Sequence, residues 1–215
     1  MRFNGPGKKL DNIDLPTVGR LIGVGEDPIH AILDVETSGS GFDSLNRPKM
    51  LFEPHVFHRL LKGAGETSKL ASAVVQDIAY PKWGALPYPR DSYSRLEKAY
   101  DLHPVFALQS ASWGLGQIMG FNFALAGYKS AEAMVNEFIM DEEYQLKAMI
   151  RFVISAGLDD DLRALNKAEN RVDMLIAARG FARGYNGAGF AANKYDTKIV
   201  DRLLFWRSKQ DTPIS

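Results

Sequence analysis

The chain contains no cysteine. That excludes a disulfide framework and any thiolate-ligated metal site, and leaves packing alone to hold the fold. No stretch approaches the roughly 18 consecutive apolar residues of a membrane-spanning helix. The opening run MRFNGPGKKLDNIDLP lacks an apolar core, so a secretory signal is not expected. An excess of either charge is missing too. Lys plus Arg number 26 and Asp plus Glu number 26, which argues against a dedicated nucleic-acid binder. No internal repeat and no low-complexity segment is present.

What remains is an ordinary globular composition, 46% hydrophobic and 24% charged over 215 residues. It predicts one domain spanning 1–215, with a core of its own. Residues 1–13, rich in Gly, Lys and Asn, read as a loose arm. Helices are predicted over 14–24, 28–36, 54–62, 68–78, 93–101, 104–112, 121–127, 130–139, 141–156, 159–166, 170–183 and 191–208. Asp27, Asp141 and Asn170 are placed as caps, and Pro16 and Pro28 in first turns. Residues 41–53 read as a small β-hairpin around an Asn-containing turn. Residues 63–93 read as a long surface loop broken by one helix. The expected class is mainly α, with one small β-hairpin.

Three places invite chemistry. In the second helix Ile29, Ile32, Leu33 and Glu36 fall at i, i+3, i+4 and i+7, while Asp34 lies off that stripe. A carboxyl among apolar neighbours at the negative end of a helix has its ionised form disfavoured, which suits a general acid. On the stripe alone, a helix-end Glu turned to water competes with that reading. The run Ser112-Trp113-Gly114-Leu115-Gly116-Gln117-Ile118-Met119-Gly120 reads as a tight loop, its three glycines unfavourable to helix. Ser112 and Gln117 in it could bind sugar hydroxyls and amides; the run lacks the pattern of a phosphate loop. Gly184-Tyr185-Asn186-Gly187 reads as a sharp bend after a helix, where a Tyr hydroxyl could orient a carboxylate.

Together these pieces carry a resemblance. Glu36-Thr37-Ser38-Gly39, SWGLGQIM and FARGYNG resemble, in order, the motifs of lytic transglycosylases and goose-type lysozymes. ETSGSGF, RPKMLFEPHVFHRLL, SASWGLGQIMGFN and FARGYNGAGFAANKYD are more closely similar to the N-acetylmuramidase domain of phage endolysins, especially those against Gram-negative hosts. The likeness runs from about residue 14 to about 208. It implies an α+β lysozyme-like fold and a peptidoglycan hydrolase cleaving the β-1,4 bond between N-acetylmuramic acid and N-acetylglucosamine. Glu36 matches the catalytic acid, and Ser112, Gln117, Tyr185 and Asn186 match substrate-binding positions. Thr37 stands where the broader motif has Ser.

The resemblance implies glycan strands as partner, no cofactor, a monomer, no nucleic acid and no membrane insertion. Synthesis in the host cytoplasm and action in the periplasm, through a holin pore, would follow from the missing signal. Members often carry a separate wall-binding module, for which no room is expected here. Lytic transglycosylase activity with the same acid, and a non-catalytic cell-wall binder, are the alternatives.

A second carboxylate is the open point. A retaining enzyme needs one about 5–5.5 Å from the acid and an inverting one about 6.5–9.5 Å away. Glu53 and Asp43, both on the expected hairpin, are candidates, and Glu53 is taken as catalytic. Phe52 would seek the core, turning Glu53 to the groove; an ion pair holding the hairpin is the competing reading. Glu53, His55 and His58 lack the HExxH pattern, so no metal is expected and both histidines read as structural. Trp83, Tyr88 and Tyr93 could stack on sugars or simply pack.

Overall fold

The computed structural model describes residues 3–37, 39–85 and 87–209. The architecture is mainly α, with a small antiparallel sheet. Helices α1 (Asp14–Ile22) and α2 (Glu26–Thr37) lead to strand β1 (Met50–Phe52). Helices α3 (Pro54–Gly63), α4 (Thr67–Val75), α5 (Tyr93–Leu102) and α6 (Pro104–Gln109) follow. Strands β2 (Ala111–Trp113) and β3 (Ile118–Met119) come next. The remainder is α7 (Ala131–Phe138), α8 (Glu142–Ser155), α9 (Asp159–Lys167), α10 (Arg171–Asn186) and α11 (Tyr195–Arg207).

Local chemistry explains most boundaries. Asp141 and Asn170 cap α8 and α10, accepting from the N–H groups of Glu143 at 2.8 Å and Asp173 at 3.0 Å. Gly157, at φ +67°, ends α8 in the left-handed region. Helix α2 begins at Glu26, so Asp27 and Pro28 stand inside its first turn rather than before it. There proline forfeits no intrahelical bond. Helix α10 continues to Asn186, and Gly187 at φ +72°, not Gly184, ends it.

The sheet departs from expectation. Residues 42–48 do form a tight turn, with a Phe42–Pro48 bridge and the Asp43 N–H donating to Arg47 O at 2.9 Å. Yet β1 pairs with β2, Leu51 opposite Ser112, and not with its own neighbourhood. The glycine-rich run expected as a loop supplies the hairpin, β2–β3, with Trp113 opposite Ile118. Gly114 at φ +68° and Gln117 at φ +44° make its turn. Alternation marks a strand but says nothing of a partner far along the chain. Claiming 111–113 for the sheet also ends α6 at Gln109. Residues 121–127 give only a short 3-10 turn, Gly120–Asn122.

The N-terminal arm is not loose from Phe3 onward. Phe3 is buried against Tyr93, Tyr100 and Trp113, with ring centroids 5.6–5.8 Å apart. Gly7 and Lys8 donate their N–H groups to Ile139 O and Met140 O at 3.3 and 3.1 Å. One aromatic anchor outweighs a composition that otherwise favours solvent. Phe3→Ala should therefore destabilise the protein by about 3 kcal/mol, the ordinary cost of emptying an aromatic core site. Denaturant unfolding tests this; an unchanged midpoint would mean that the arm contributes nothing.

Candidate active site

Glu36 sits in the last turn of α2. Its stripe partners Ile29, Ile32 and Leu33 are at most 3% exposed. Helix α11 lies along α2 and fastens it at three heights. Trp206 stacks on His30, with centroids 3.9 Å apart, and donates to Asp34 at 2.7 Å. Arg202 Nε donates to the same Asp34 oxygen at 2.7 Å. At the top, the buried Tyr195 hydroxyl donates to Glu36 Oε1. Asp34, off the stripe, is thus the fastening group, and Glu36, on it, is free to face the cleft.

Burial pushes the Glu36 carboxyl up to about 7, and the Tyr195 hydrogen bond offsets only part of that rise. Burial therefore favours the protonated form of this carboxyl well above the pH at which an exposed glutamate ionises. Glu36 lines a cavity of about 480 Å³, together with Thr37, Asp43, Arg47, Lys49, Arg90, Asp91, Tyr93 and Gln117. That is ample for a small-ligand site.

The other expected site residues are distributed unevenly. Gln117 lines the cleft, but its amide is committed. It donates to Gly114 O at 2.9 Å and Lys49 O at 3.3 Å, and accepts from the buried Ser112 hydroxyl at 2.9 Å. Ser112 and Gln117 therefore brace the β2–β3 hairpin that walls the cleft. Tyr185 stacks on Phe181 at 5.1 Å and donates to Gly116 O at 2.7 Å. A side chain at Gly116 would stand 2.7 Å from that hydroxyl. The tyrosine that orients the carboxylate is Tyr195, ten residues beyond the expected Tyr185. Asn186 is exposed at the end of α10 and is not among the cavity-lining residues.

Glu53 does not stand where the hairpin reading put it. Phe52 is fully buried, as expected, but Glu53 is not among the residues lining the Glu36 cavity. Its Oε2 accepts from Tyr88 at 2.5 Å and pairs with His55 at 3.2 Å. It thereby ties the start of α3 to the segment before α5. The Glu53 side chain thus meets the segment before α5 and not the groove. Burial pushes this carboxyl up as well, with Tyr88 and His55 opposing.

Asp43 does line the cleft. Burial would raise its carboxyl, but the Arg47 N–H at 3.0 Å, the Arg47 guanidinium at 2.8 Å and the Leu45 N–H at 2.9 Å together hold it below its ordinary value. Of the three aromatics, Trp83 is exposed, Tyr88 serves Glu53, and Tyr93 is buried with its hydroxyl on Pro48 O at 2.7 Å. Among the described residues no three His, Asp or Glu side chains are grouped to hold a metal ion. No helix among them is long and apolar enough to cross a membrane.

A family model described as N-acetylmuramidase matches residues 26–204. Among solved structures, the crystal structure of Burkholderia AP3 phage endolysin superposes with a TM-score of 0.76 at 30% identity, covering 94% of this chain and 73% of that one. No curated protein matches.

Tyr195→Phe isolates the contact that tunes Glu36. The hydroxyl stabilises the ionised carboxylate, so its loss should raise the Glu36 titration midpoint beyond about 7. Carbon NMR of the labelled carboxyl reads this directly. A midpoint that falls would show that Tyr195 does not donate to the carboxylate.

Proposed function

Because the chain belongs to the N-acetylmuramidase family and is a peptidoglycan hydrolase, we propose that it cleaves the β-1,4 bond between N-acetylmuramic acid and N-acetylglucosamine, with Glu36 as general acid. The observation that carries this reading is a cleft-lining carboxyl held at about 7 by its own burial. The protonated fraction gives its proton to the glycosidic oxygen as oxocarbenium character develops on the muramyl ring. Tyr195 fixes which oxygen of Glu36 points outward. The braced hairpin of Ser112 and Gln117 supplies a wall of fixed shape, and Tyr185 holds its Gly116 corner.

In this reading Glu36 is the one carboxyl that moves a proton. Asp43 contributes a fixed negative charge, already shared with Arg47, and Glu53 holds the segment before α5 in place. A solitary acid also supports a second reading, lytic transglycosylation, in which the muramyl 6-hydroxyl closes onto the anomeric carbon in place of water. Mass analysis of digested peptidoglycan separates the two: reducing ends mark hydrolysis, and 1,6-anhydro ends mark transglycosylation.

Glu36→Gln should reduce lysis at least about 100-fold, the usual worth of a general acid. A variant retaining more than about a tenth of the activity would remove Glu36 from this role. The same change should stabilise the fold at alkaline pH. A carboxyl raised from 4.5 to about 7 on folding costs nothing below 4.5 and its full penalty above 7. Between about pH 4.5 and pH 8, wild type should therefore lose up to about 3 kcal/mol relative to the Gln variant. Denaturant unfolding at both pH values measures the difference. Wild-type activity should decline as pH rises through about 7. Glu53→Gln should keep its rate at low temperature within a factor of about three while unfolding at lower temperature, by about 1 kcal/mol. A large rate loss at unchanged melting temperature would restore Glu53 to the chemistry.

A further inference from the structure

Arg47, Lys49 and Arg90 are the cations of the cleft. Two of them are committed. Arg47 donates to Asp43 at 2.8 Å and Asp91 at 3.3 Å, and its guanidinium lies 4.0 Å over the Tyr93 ring. Lys49 donates to Thr37 O at 2.6 Å. Arg90 makes no hydrogen bond or ion pair with any described residue, and its side chain is exposed to the cleft.

The backbone that carries Arg90 is nevertheless firmly held. Pro87 and Pro89 fix two φ angles just before it. Arg95 donates to Pro87 O at 3.2 Å, and Tyr88 is tied to Glu53 at 2.5 Å. On the other side, Asp91 accepts from the Tyr93 N–H at 3.0 Å and from Arg47. Neighbours on both sides are bound, while the guanidinium has no partner among the described residues. The held backbone fixes where the side chain starts, so binding a carboxylate bidentately has only the Arg90 side chain left to order.

We propose that Arg90 is a substrate-reading residue that binds a carboxylate carried on the muramyl side of the strand. This rests on the glycan-cleaving reading of the Glu36 cleft. The β-1,4 sugar backbone is itself uncharged. Its carboxylates are the lactyl group of a bare muramic acid or, where that group is amide-linked, those of the attached stem peptide. Arg90 thus makes affinity depend on what hangs from the strand, while Glu36 acts on the strand itself.

The test uses the full chain and three solubilised glycan preparations: peptide-bearing strands, strands stripped of peptides by an amidase, and stripped strands whose lactyl carboxylates have been converted to neutral amides. KM and kcat are measured for wild type, Arg90→Gln and Arg90→Lys. Arg90→Gln should raise KM about tenfold on a carboxylate-bearing strand, with kcat little changed. It should have no effect on the amidated one. Arg90→Lys, which keeps the charge but not the fork, should recover part of the loss. A rise confined to peptide-bearing strands assigns the stem carboxylate, a rise confined to stripped strands assigns the lactyl group, and a rise on both shows that Arg90 takes either. Equal KM on all three, or a kcat loss with KM unchanged, overturns the proposal. Each outcome is a ratio to wild type on the same strand, so it stands apart from any failure of Glu36 as the acid, which would appear as an active Glu36→Gln.

Discussion

A single buried carboxylate holds the groove together. Glu142, at the first residue of α8 and 2% exposed, accepts from the N–H groups of Gly41 at 2.8 Å and Leu10 at 3.0 Å. Lys9 and Ser40 donate to it at 3.1 and 3.3 Å. A charge taken so far from water is tolerable only with this many donors and the positive end of a helix beside it. One turn on, the fully buried Gln145 accepts from the Leu115 N–H at 2.9 Å and donates to Phe138 O at 2.8 Å. The first turn of α8 therefore fixes three things at once: the N-terminal arm, the chain leaving α2, and the hairpin that walls the cleft. Gly41 is required here in a literal sense, since a Cβ on it would fall 1.9 Å from Gln145 Oε1.

The opposite side of the acid is governed by α11. Asp34 and Glu36 are two residues apart, yet their fates diverge. Asp34 takes hydrogen bonds from Arg202 and Trp206 and is spent on holding two helices in register. Glu36 takes one from a phenol in an apolar setting and keeps a proton near neutrality. Helical spacing separates the two roles: two residues apart on α2, the side chains leave the helix about 200° apart, so Asp34 meets α11 where Glu36 meets the cleft.

The stripe alone left open a Glu36 turned to water, and it was the resemblance of the motif that singled Glu36 out. The spacing itself was legible in the sequence, because Ile29, Ile32 and Leu33 define the stripe without reference to anything distant. Most helices were readable for the same reason, from caps and glycines close at hand. Tyr195 was not, being 159 positions from the group it serves. Glu53 shows a subtler limit. Alternation put Phe52 in the core, but what Glu53 met depended on a segment distant in the chain. Phe3 failed differently, because composition averages over an arm in which one ring decides.

Glu36 and Tyr195 come from opposite ends of the described chain. A ribosome delivers α2 early and α11 late, so the carboxyl is in place long before the phenol that orients it. Until residue 195 has emerged and its helix has docked, Asp34 lacks its cationic partner and the acid lacks its neighbour. A chain still being translated therefore holds an unassembled, untuned centre. The Glu36 carboxyl reaches the surroundings described here only once α11 has docked along α2.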